Sequence, residues 1–230
     1  MSVLTKSSSR KTRRGRSVSA SDWLIPTGLI LLSLIPVIAG SVRLTELSVS
    51  ADITPDNARF FASPIPVVLH IISVTLYSIL GAFQFSRGLR QWKSKWHRRV
   101  GWLLVPSGLV SALSGLWMSQ FYALPAIDGE ILYGLRLIFG WGMVASIVFA
   151  VLAIRRRKFA EHGAWMIRAY AIGLGAGTQV FTHLPWFLFS DGIDELSRAI
   201  AMGAGWVINL IIAEWIIYKY LKPKMKSANK

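Results

Sequence analysis

Six apolar runs, each close to the roughly 20 residues that a helix needs to cross the hydrocarbon core of a bilayer, are joined by connections whose charge alternates in sign. The runs cover about 23–42, 65–85, 100–122, 131–154, 164–189 and 199–221. In lipid every backbone amide and carbonyl must be satisfied within the chain, so runs of this length cross as α-helices. The expected fold is therefore an all-α, polytopic bundle of six transmembrane helices with no sizeable soluble domain.

The connections carry the orientation. Lys6, Arg10, Lys11, Arg13, Arg14 and Arg16 precede the first run, and Arg87, Arg90, Lys93, Lys95, Arg98 and Arg99 follow the second. Arg155, Arg156, Arg157 and Lys158 follow the fourth run, and Lys219, Lys222, Lys224, Lys226 and Lys230 end the chain. The remaining three connections are acidic: Glu46, Asp52 and Asp56, then Asp128 and Glu130, then Asp191, Asp194 and Glu195. The positive-inside rule puts both termini in the cytoplasm and the chain in the inner, cytoplasmic membrane. A miscount by one helix would break the alternation, so the charges also check the count.

Composition excludes several classes. Charged residues make up 16% of the chain, against about 25% in soluble domains. The 26 Lys and Arg against 11 Asp and Glu would suggest nucleic acid in a soluble protein. Here the basic residues lie between apolar runs, so anionic lipid headgroups are the expected counter-charge and no nucleic-acid partner is expected. There is no cysteine, hence no disulfide and no thiolate metal site. Residues 1–22 read as a disordered basic arm and 222–230 as a basic tail. A cleaved signal peptide is the rival for the N-terminus. However, the first run is of full spanning length, and Val37-Ile38-Ala39 lacks the small-x-small cleavage pattern.

Ionisable side chains inside a membrane are costly and tend to be functional. All four histidines fall in or beside the second, third and fifth runs. His70 and His183 lie one to two turns inside the acidic ends of their runs. His97 and His162 lie at the basic starts of theirs. His162 and His183 are 21 residues apart, close to a full membrane thickness at about 1.5 Å per residue. One pair, His70 with His183, is thus expected near the outer face, and a second, His97 with His162, near the inner face. Bis-His ligation of a b-type haem is one use of such pairs. A proton relay, a bare metal site, helix–helix hydrogen bonds and headgroup contacts are the others. Arg136 lies one turn inside the outer end of the fourth run. Haem propionates, an anionic substrate, Asp128 and Glu130, or snorkelling to headgroups would each neutralise it. On the inner side, Arg168 and Glu214 are expected to form an ion pair, because each is expensive unpaired in hydrocarbon. Gly173, Gly175 and Gly177 with Ala176, and Gly101, Gly108 and Gly115 every seven residues, are expected to serve close helix packing. Gly175 and Ala176 also leave room for a flat group.

Two stretches echo each other: Trp96-His97-Arg98-Arg99-Val100-Gly101-Trp102 and Glu161-His162-Gly163-Ala164-Trp165. Each follows a basic connection and opens a run, which suggests a parallel pseudo-repeat. With His70, Leu80-Gly81-Ala82-Phe83-Gln84-Phe85, Arg90, His97-Arg98-Arg99-Val100-Gly101 and His162-Gly163-Ala164-Trp165-Met166-Ile167-Arg168-Ala169-Tyr170, the chain resembles the bacterial predicted membrane proteins grouped as domain of unknown function 2306. The second block departs at Gly163, where the family pattern has Arg. The resemblance covers roughly 65–190 and implies a membrane protein without assigning an activity.

The leading functional expectation is a haem-b-binding membrane protein for electron transfer with a membrane redox partner, using His70 and His183 as axial ligands and Arg136 beside the propionates. A small-molecule or ion transporter lined by Arg136, His70 and Glu214 is the alternative, and a non-catalytic membrane assembly partner is the third. No catalytic triad, paired acidic site or zinc motif is present in the sequence.

Overall fold

The computed structural model describes residues 21–86, 88, 94–189, 192–223 and 225. The basic arm at 1–20, Arg87, Arg90, Lys93, Asp191, Lys224 and most of the basic tail lie outside the described residues. Eight α-helices occur among those described: α1 Ser21–Ser48, α2 Ala58–Ala62, α3 Pro64–Gln84, α4 Ser94–Phe121, α5 Gly129–Arg155, α6 Phe159–Gly173, α7 Gly175–Phe189 and α8 Glu195–Tyr220. A single 3-10 turn, Ala126–Asp128, precedes α5.

Local chemistry explains several of these limits. Proline at the start of α3 needs no amide partner, so it opens the helix without loss. Asp194 caps α8, accepting from the Ser197 amide at 2.8 Å and the Ser197 hydroxyl at 2.9 Å. Those hydrogen bonds, the amide's first, hold the Asp194 carboxyl below its ordinary pKa. The short helix α2 was not legible as an apolar run, being one turn only.

Among the described residues five helices are long and apolar enough to cross a membrane. The fifth expected crossing, 164–189, is not one helix but two of 15 residues each, interrupted at Leu174. Three glycines in five positions lower helix propensity there. Neighbouring side chains meet the polar groups around the interruption. Asn209 of α8 donates its Nδ2 to the Ala171 carbonyl at 3.0 Å and accepts from the Thr178 hydroxyl at 2.7 Å. A broken helix within a membrane is tolerated on that condition.

The six crossings alternate in direction, α6 and α7 together making the fifth. One end of the bundle, called the basic end here, carries the start of α1, the start of α4 and the end of α8. The acidic end carries α2, the 3-10 turn and the start of α8. Contacts distant in sequence agree with this sorting: the Gly88 amide donates to Asp22 at the basic end, and the Tyr122 hydroxyl donates to the Ser63 carbonyl at the acidic end. α3 pairs with α4 and α5 with α6, while α1 lies outside against α3 and α7. Tyr77, Leu104, Met143, Ile147 and Tyr170 form the central core. Large apolar side chains such as Leu24, Leu31, Trp102, Trp141 and Ile211 point outward, as a lipid solvent demands.

The break at Leu174 lets the two half-helices take different neighbours. α6 packs on α5 and α8, whereas α7 packs on α8 and α1. Glycine makes the second packing possible. A methyl group at Gly177 would lie 2.2 Å from the Leu32 carbonyl oxygen of α1. Gly175 likewise admits the Trp206 ring, so the space there is filled by α8 and is not left for a flat ligand. The opening lies instead beside Ala176, where α7 has parted from α5.

Candidate functional site

That opening is a cavity of about 380 Å³ in the acidic-end half of the bundle. Its polar lining includes His70, Ser111, Asp128, Arg136, Gln179 and Arg198, with Arg59 from α2. Its apolar wall includes Leu116, Phe139, Met143, Ile172 and Trp206, with Phe139 and Trp206 stacked at 4.8 Å between centroids. Gly173 and Ala176, on either side of the helix break, also face it.

Asp128 organises the acidic-end side of the cavity. It is 3% exposed and precedes α5, so its charge sits at the positive end of that helix dipole. Arg136 Nη2 donates to Asp128 Oδ2 at 2.8 Å, and Arg198 Nε donates to Oδ1 at 2.6 Å. The turn needs Gly129 at φ 47°, where any side chain would also strike Glu195. Both carboxylate oxygens are thus engaged, yet Arg136 Nη1 is buried without a hydrogen-bond partner. Arg59 reaches only the Ala123 carbonyl, at 3.5 Å, and stacks on Phe60.

His70 is fixed from α4. Its Nδ1 lies 2.9 Å from the Ser111 carbonyl and 3.2 Å from the Ser114 hydroxyl. A carbonyl oxygen only accepts, so Nδ1 carries the proton, and in the neutral ring Nε2 keeps its lone pair. The ring packs on Gly115, where an added methyl would approach it to 3.3 Å.

The other expected site residues are distributed as follows. His183 does not line the cavity. Its Nδ1 donates to the Gln179 carbonyl of its own helix at 2.7 Å, and the half-helix that carries it leans towards α8 and α1. At the basic end, His162 Nδ1 donates to the Ala150 carbonyl of α5 at 2.9 Å, while His97 sits in the first turn of α4. Arg168 and Glu214 make a two-pronged pair at 2.5 and 2.9 Å, and Arg168 stacks on Trp165. Glu214 therefore belongs to the opposite end from His70 and Arg136. Among the described residues no three His, Asp or Glu side chains cluster as a metal ligand set.

Sequence reasoning missed Arg198, Arg59 and Gln179. For the arginines the available signal was a count: Arg43, Arg59, Arg136 and Arg198 are basic residues at the end whose connections are otherwise acidic; Gln179 carried no such signal.

Residues 67–217 match the profile of a family described as predicted membrane protein, DUF2306. The match takes in well over half of the chain and all of the cavity lining except Arg59 and Phe60. The chain belongs to the DUF2306 family. The DUF2306 match runs past α7 into α8, further than the motifs alone reached, and so includes Arg198 and Asn209. No curated protein and no solved structure matches this DUF2306 protein. Its family description supplies a membrane setting and no activity.

Proposed function

We propose that this DUF2306 protein binds a b-type haem in the acidic-end cavity and serves membrane electron transfer, with His70 as an axial ligand. The observation that carries the reading is the His70 geometry: Nδ1 committed to the Ser111 carbonyl, Nε2 left with its lone pair on a cavity-lining ring. Histidines that bind metals are held by this kind of hydrogen bond at the other ring nitrogen. The residues around it are of the required kinds. Arg136 and Arg198 would receive the propionates, and Leu116, Met143 and Trp206 offer an apolar wall. The volume falls within the roughly 300–1,000 Å³ of small-molecule sites. The cavity supports one protein ligand, His70, and not the His70–His183 pair that depth alone suggested. The alternation of basic and acidic connections supports placing the acidic end outside the cytoplasmic membrane and both termini in the cytoplasm.

The test is an absorption spectrum of protein purified in detergent from haem-supplemented cells, before and after dithionite. A haem Soret band that shifts on reduction is expected, lost in His70→Ala and retained in His183→Ala, His97→Ala and His162→Ala. A colourless wild-type protein, or a band that survives His70→Ala, ends this reading.

A second reading, transport of a small organic anion, is favoured by the helix break. Discontinuous helices beside a mid-membrane cavity are a feature of secondary transporters, and Gly173 and Ala176 flank the break on the cavity side. It predicts uptake into proteoliposomes by a protein that takes up no haem.

A further inference from the structure

We propose that the acidic-end side of the cavity is a carboxylate-binding site, built by Arg136 and Arg198 with Arg59 beside them, for an acid whose apolar body lies against Leu116, Met143 and Trp206. The inference goes beyond the haem reading, because it rests on the arginines and stands whether or not His70 binds iron.

Charge and donor accounting lead to it. Three arginines from α2, α5 and α8 line one cavity against one carboxylate, Asp128. Arginine does not deprotonate in proteins, so the excess of positive charge is permanent. Asp128 accepts one bond from each of Arg136 and Arg198, and neither bond uses Arg136 Nη1. Arg136 Nη1 remains buried and unpartnered, and a buried cationic donor without an acceptor is an unstable arrangement. Arg198 uses only its Nε on Asp128. The site already holds one carboxylate between the two guanidinium groups, which shows the geometry they accept. A second carboxylate would take up the donors that Asp128 leaves. The apolar wall then selects an acid with a hydrocarbon body over inorganic anions. Shared by both possible sources is the carboxylate itself: the propionate edge of a haem, or a free organic acid.

Radiolabelled octanoate is the probe, with protein in nanodiscs counted against empty nanodiscs and unlabelled octanol as competitor. Saturable binding that octanol does not displace is expected. Arg136→Gln and Arg198→Gln should each weaken it about ten-fold or more, the usual consequence of losing a charge-assisted hydrogen bond. Arg43→Gln, an arginine at the same end but off the cavity, should bind as the wild type does. If Arg136→Gln fails to fold, Arg136→Lys keeps the charge beside Asp128 while removing Nη1, and a comparable loss is expected. Octanoate bound by His70→Ala identifies a free acid as the source, and it does so even if the wild type shows no haem band and the haem reading has failed. A wild type that binds haem but not octanoate, with haem affinity falling about ten-fold in Arg136→Gln, identifies the propionates. If octanoate does not bind and haem affinity does not respond to Arg136, the proposal is overturned and the cavity is one that only water fills.

Discussion

Gly177→Ala sets two known effects against each other, and the structure decides the sign. In a helix, alanine is favoured over glycine by up to about 1 kcal/mol, and by less in a first turn such as that of Gly177. At Gly177 the added methyl would lie 2.2 Å from the Leu32 carbonyl oxygen and 2.9 Å from its carbon. Ordinary contact needs α7 and α1 to part by about 1 Å or more. The obstacle is backbone, which cannot rotate away as a side chain would. Overpacking costs about 1–3 kcal/mol, and a backbone clash belongs near the upper end. The net effect is then about 2 kcal/mol of destabilisation, or a fall of about 4–8 °C in melting temperature for a chain of this size. Gly134→Ala is the matched control, because nothing lies within 4 Å of its added methyl. There only the propensity gain remains, and a rise of about 2–4 °C is expected. Thermal unfolding in one detergent, followed by intrinsic fluorescence, measures both. A Gly177→Ala protein that melts at or above the wild type would refute the close approach of α7 to α1. Equal shifts at the two glycines would refute the reasoning that separates them.

Two further outcomes are expected. The Tyr170 hydroxyl donates to the Ser78 carbonyl at 2.6 Å, whereas the buried Tyr77 hydroxyl has no partner; Tyr170→Phe should cost about 1 kcal/mol and Tyr77→Phe nothing, and the reverse order in thermal melts would contradict the packing of this pair. For the proposed orientation, alkaline phosphatase fused at the C-terminus should be inactive and fused between α7 and α8 active, and the opposite pattern would invert every inside and outside assignment.

The spans were legible because hydrocarbon imposes one requirement, apolar length, that needs no tertiary information. Arg136 and His70 could be singled out for the same reason, since depth along a run can be counted. Rotation about the helix axis and lean from it cannot. His183 has the depth to meet His70, but the interruption at Leu174 hands its half-helix to α8 and α1, and its ring returns to Gln179. The interruption itself was hidden, because glycine is frequent in membrane helices that run unbroken. Arg198 falls one residue before the sixth run, 199–221, so counting depth along a run could not single it out. Only the turn at Gly129, which turns Asp128 inward, makes it part of the cavity.

Asn209 also bears on how the chain is assembled. Its amide lies midway along the sixth crossing, and its partners are the Ala171 carbonyl and the Thr178 hydroxyl of the fifth. Released alone into lipid, either segment would expose polar groups that only the other can meet. If the crossings enter the membrane in chain order, the fifth lacks the Asn209 amide until the sixth follows it. In that sense the last two crossings complete each other, and a chain cut short before Asn209 would leave the Ala171 carbonyl and the Thr178 hydroxyl without these partners.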